Sequence, residues 1–142
     1  MSQAQTDPIP YTKAFREKVQ GRLTARFRVD AAGAPEFEED PDGLRHYTID
    51  VYLESPLADD IDGVEYLLID NTSVDPRGYS ADADNNFHEV IETYGDIPVE
   101  VTADIDSREY KQRAWLSNML ENGHSGETNP AILDAIRRIK AN

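Results

Sequence analysis

In three stretches of this chain apolar and polar residues alternate one for one, and that period of two constrains the fold more than any other feature. In 22–30, Leu23, Ala25, Phe27 and Val29 alternate with Arg22, Thr24, Arg26 and Arg28. In 46–54, Tyr47, Ile49, Val51 and Leu53 alternate with polar positions, and IPVEVTADI (97–105) repeats the pattern. Successive side chains of a strand point to opposite faces, so each stretch carries one oily face. VEYLLID (64–70) is nearly continuous in apolar residues, as expected of a strand covered on both faces, and Phe87 to Tyr94 reads as a weaker strand. Polar clusters rich in Gly, Pro and Asp separate them at 31–43 and 55–63, and Gly95-Asp96 forms a turn. Residues 71–86 read as one long polar loop, a length often associated with function. Five or so short strands so spaced predict an all-β antiparallel sandwich over 22–106.

The period changes at both ends. Tyr11, Phe15 and Val19 recur every four residues, which predicts a short helix ending near Gly21 behind a loose tail, together residues 1–21. From Ser107 a helical pattern gathers Tyr110, Ala114, Trp115, Met119 and Leu120, and Asn129-Pro130 opens a second helix lined by Ile132, Ile136 and Ile139. Residues 107–142 therefore read as a helical hairpin appended to the sandwich. Its residues Trp115, Met119, Ile132 and Ile136 either cap the core or form an oligomer or effector-docking surface.

Charge is uneven. The chain of 142 residues carries a net −14, divided as +4 over 1–28, −20 over 29–106 and +2 over 107–142. A body this acidic disfavours direct nucleic-acid binding, which needs clustered Lys and Arg, and attracts a basic partner. With no cysteine, neither disulfides nor thiolate chemistry is available. No apolar run is long enough for a membrane span, and the first residues lack a basic start followed by an apolar run, so a cytoplasmic protein is expected.

Catalytic signals are lacking. His46, His88 and His124 are scattered and read as surface or strand-edge residues, and no nucleophile elbow, phosphate loop or dinucleotide fingerprint occurs. Asp82-Ala83-Asp84-Asn85-Asn86 has the D-x-D-x-N spacing of a calcium loop. Phe87 at the sixth position and Thr93 at the twelfth replace the Gly and Glu that such a loop needs. The segment reads as a turn. No metal, no cofactor and no enzymatic activity are expected.

Val64-Glu65-Tyr66-Leu67-Leu68, a polar loop with Pro76, then Phe87, then Tyr94-Gly95-Asp96-Ile97-Pro98-Val99-Glu100-Val101 resemble the YEATS domain family, with Tyr47 to Leu53 where the family has a preceding strand. The resemblance covers roughly residues 45–105. It implies an immunoglobulin-like sandwich and, in chromatin members, an acyl-lysine held between aromatic side chains of two loops. Here the first loop is Ile69-Asp70-Asn71-Thr72 and the second Thr93-Tyr94-Gly95-Asp96, so only Tyr94 keeps an aromatic wall. That argues against acyl-lysine. The resemblance looks closer to the prokaryotic branch of the family, whose members are commonly attached to signalling, membrane or defence modules.

The sequence therefore predicts a protein- or peptide-binding module using Asn71, Thr72, Asp84, Tyr94, Gly95 and Asp96 at its loop ends, with a protein or basic peptide as partner. Two alternatives remain: an assembly subunit, including a homo-oligomer, built on the C-terminal helices, and an acidic mimic of nucleic acid.

Overall fold

The computed structural model describes residues 12–69 and 77–142. Among the described residues, two four-stranded antiparallel sheets share one apolar core, with three short helices. The order is α1 (Lys13–Lys18), β1 (Arg22–Phe27), β2 (Phe37–Glu39), β3 (Arg45–Glu54), β4 (Gly63–Leu68), β5 (Arg77–Ser80), β6 (Glu89–Thr93), β7 (Pro98–Ile105), β8 (Arg108–Trp115), α2 (Leu116–Gly123) and α3 (Pro130–Ala141).

The first sheet is organised around β3. One edge pairs with β6, and β1 and β2 follow one another along the other edge. Where they meet, Thr48 accepts from the Arg28 N–H and donates to the Glu36 carbonyl, and residues 29–35 leave the sheet as a small hairpin. The predicted inward set of β1 is therefore correct for Leu23, Ala25 and Phe27 and fails at Val29, which is 43% exposed. Val29 lies where the chain has already left β3. Two turns of the same make flank β2. Asp30 accepts from the N–H groups of Ala32 and Ala34, and Asp40 from those of Asp42 and Leu44, with Gly33 and Gly43 at φ +84° and +82°. Each is a short hairpin turn completed by a left-handed glycine.

The second sheet runs β5-β4-β7-β8. Two expectations fail here. Residues 108–115 are not helical but form β8, in register with all of β7 from Ile105↔Arg108 to Pro98↔Trp115. The cause is the turn. Asp106 and Ser107 both take left-handed φ, +50° and +65°, the geometry of a two-residue hairpin whose twist matches its strands. Lys, Glu, Arg and Ala in this stretch favour helix only weakly, by tenths of a kcal/mol each, and eight paired residues override that. The long loop 71–86 is also interrupted, since its residues 77–80 form β5. In β4 the buried residues alternate with the half-buried Glu65 and Leu67, so one face is well covered and the other only partly.

The helices close the core. Thr12 caps α1, whose Phe15 and Val19 are fully buried. Asn129 accepts from the Ala131 N–H and Pro130 begins α3, as the sequence predicts. Met119, Ile132 and Ile136 lie in the core of the same chain. They cap the sheets and are not presented to a partner in this fold. Trp115, the last residue of β8, is half-buried.

Candidate functional site

Strand register assigns the described connections to one end of the sheets or the other. Val64 pairs with Ser80 and Gly63 with Asp104, so the β3–β4, β5–β6 and β7–β8 connections share one end. Leu68 pairs with Val99, which puts the β6–β7 turn at the opposite end. The predicted binding residues are thereby separated: Asp84 lies at the first end, and Tyr94, Gly95 and Asp96 at the second. Asn71 and Thr72 lie outside the described residues.

At the second end Asp96 is consumed by the fold. It is 8% exposed, and its carboxylate accepts from the Ser117 N–H at 2.9 Å and the Ser117 hydroxyl at 2.6 Å. It thus satisfies a free donor in the first turn of α2. Burial pushes its pKa up, against the pull of the Ser117 hydrogen bonds. Gly95 is tight for a related reason, since a Cβ there would come within 3.0 Å of the Asn142 main chain. Tyr94 is half-buried, its ring 5.2 Å from that of His46, which in turn pairs with Asp40 at 2.8 Å.

The first end is different. Its three connections bring Asp59, Asp60 and Asp62, then Asp82 and Asp84, then Asp106 to one surface, and all six are exposed. These connections, 55–62, 81–88 and 106–107, contain no Lys or Arg. None of the six enters an ion pair among the described residues. The surface is held from beneath. Phe87 is fully buried, its carbonyl accepts from the Tyr66 hydroxyl at 2.8 Å, and the Asn86 carbonyl accepts from the Leu53 N–H at 3.0 Å. The Asp62 N–H donates to the Asp104 carbonyl at 2.7 Å, tying the first connection to the end of β7. Asn86 and Phe87 sit at φ +52° and +54°. Left-handed backbone is uncommon for an aromatic residue, and burial of the ring holds it there. The calcium-like spacing of 82–86 forms a 3₁₀ turn at Ala83–Asn85, and no group of three or more metal-ligating side chains occurs among the described residues.

Two further polar features escaped the sequence reading. On the outer face of the first sheet Asp50 holds both Arg28, at 2.7 Å, and His88, at 2.6 Å, with the Tyr52 ring 5.1 Å from that of His88. No hydroxyl is hydrogen-bonded to the His88 ring among the described residues. Beside the β1–β2 junction an open groove of about 450 Å³ is lined by Asp30, Pro35, Glu36, Phe37, Glu38 and Thr48. Its aromatic ring already carries a cation, since the Arg45 guanidinium lies 4.4 Å above Phe37. Both features depend on strand register, which alternation alone does not give.

The chain matches no protein-family model, and a search of the curated proteins gives no match. What the fold and site define is a class: a β-rich protein with two antiparallel sheets and a strongly acidic end. No helix among the described residues is long and apolar enough to cross a membrane.

Proposed function

We propose that the protein is a non-enzymatic binding module that holds a Lys- and Arg-rich protein segment against its acidic end. The observation that carries this reading is the convergence of Asp59, Asp60, Asp62, Asp82, Asp84 and Asp106 from three separate connections that themselves contain no Lys or Arg. Like charges crowded together destabilise a fold, and a cationic partner relieves that cost while gaining attraction along its approach. An immunoglobulin-like arrangement of the two sheets, the kind implied by the YEATS resemblance, belongs to this proposal, as does the use of strand-end loops for recognition. Acyl-lysine reading and direct contact with nucleic acid do not.

The test is binding of a decalysine peptide, measured by interferometry in low and in raised salt. The wild type binds and loses about tenfold in affinity as ionic strength rises from about 0.05 to about 0.3 M. The triple substitution Asp59→Asn, Asp60→Asn and Asp84→Asn abolishes binding. A charge-matched control, Glu36→Gln with Glu38→Gln and Glu39→Gln, keeps most of it. Equal losses in the two triple variants would reduce the effect to net charge and end the proposal.

A further inference from the structure

Of the two long edges of the first sheet, that of β1 is covered by a helix instead of a strand. The end of α2 lies across it: the Asn122 amide donates to the Leu23 carbonyl at 3.1 Å, and Arg22 and Arg26 donate back to the carbonyls of Asn122 and Gly123 at 3.0 Å each. The approach is so close that a Cβ at Gly123 would collide with the Ala25 carbonyl oxygen. At the far end of that edge the N–H of Phe27 donates to Nε2 of His124 at 3.0 Å.

A main-chain N–H can only donate, so Nε2 must offer a lone pair. The imidazole is therefore neutral, with its proton on Nδ1, which faces the Glu127 carboxylate at 3.3 Å. The side chain is 2% exposed, and its ring stacks on Phe27 with centroids 5.7 Å apart. We propose that His124 is a proton-operated latch: neutral, it closes the β1 edge at Phe27; protonated at Nε2, it releases the Phe27 N–H and uncovers the edge there. Protonation sets one N–H against another and adds a second cation beside Arg26 of β1. Glu127, in the α2–α3 connection, is the anion toward which the imidazolium turns. Charges on α3 are already engaged, Lys140 by Glu121 and Arg137 and Arg138 by Asp134.

Burial first, and the Arg26 charge second, hold the His124 pKa below that of a free imidazole, with Glu127 opposing. The opened state thus binds a proton more readily than the closed one. The stabilisation from the latch is complete above the free-imidazole pKa of about 6.5 and is lost as pH falls below it. An uncovered strand edge is a template for pairing with another chain, so the device controls access to that edge.

The experiment is two-dimensional NMR of the full chain. At neutral pH the imidazole nitrogens should report Nδ1 protonated and Nε2 bare. Protection of the Phe27 amide, corrected for intrinsic exchange, should fall by up to about tenfold per pH unit below about 6.5. His124→Gln should abolish this pH response. Glu127→Gln, which leaves the imidazole in place, should move its midpoint to lower pH. An Nε2-protonated tautomer at neutral pH overturns the proposal. So does Phe27 protection that is flat down to about pH 5, a wild-type response in His124→Gln, or a midpoint that stays or rises in Glu127→Gln.

Discussion

The two ends of the sheets use the same residue type in opposite ways. At the β6–β7 end Asp96 is buried, accepts two hydrogen bonds from Ser117 and fixes the start of α2. At the other end Asp59, Asp60 and Asp84 are exposed and unpaired among the described residues. An aspartate whose oxygens meet main-chain donors is part of the framework. One whose oxygens meet only water adds charge and little stability. Of the predicted binding residues, the difference puts Asp96 in the framework and leaves Asp84 exposed.

The first way to break this comparison is at Phe87, the buried anchor beneath the acidic end. Phe87→Ala should cost about 3–5 kcal/mol in urea unfolding, because the pocket cannot collapse and the left-handed turn loses its support. A cost near zero would mean that the acidic connections are not held as described. Next comes Asp96→Ala, which leaves donors of Ser117 unsatisfied and should cost about 1–3 kcal/mol. The Asp96 contribution also has a pH signature. Its raised pKa favours the folded state at low pH and weakens it as pH climbs past the ordinary carboxylate range, so the variant should show a flatter stability profile there.

A smaller effect is expected at Tyr47, which pairs with Thr93 near the same end. Tyr47 is 1% exposed, and its hydroxyl is the one buried side-chain polar atom without a hydrogen-bond partner among the described residues. Tyr47→Phe should raise stability by about 1 kcal/mol or leave it unchanged, and thermal unfolding decides. A clear loss would reveal a partner for that hydroxyl. The smallest effect is that of Asp84→Asn, within about 0.5 kcal/mol in the same assay. A larger loss would place Asp84 in the framework.

Much of the framework was legible because burial imposes its own period. Leu23, Ala25 and Phe27, the inward residues of β3, and Val99, Val101 and Ala103 of β7 are buried as alternation predicts. Asn129-Pro130 opens α3 because a side-chain cap and a residue lacking an N–H suit the same place in any helix. β8 was not legible. Only Gln112 of its eight residues is buried, so an edge strand with this pattern carries almost no hydrophobic period. β2 and β5 are three and four residues long, too short for a period to show. From sequence alone His124 reads as a surface or strand-edge residue. It does serve an edge, but from within, its side chain buried.

The sequence by itself determined the inward faces of β1, β3 and β7, where α3 starts, and that most of the negative charge lies in the middle of the chain. Tertiary structure alone decided that Asp59, Asp84 and Asp106 share one surface while Asp96 lies at the opposite end, and that His124 meets the Phe27 N–H. Side-chain alternation is a local consequence of backbone geometry and can be read from a few residues. Which loops are neighbours depends on the pairing of strands distant in sequence, a cooperative choice that no short window contains.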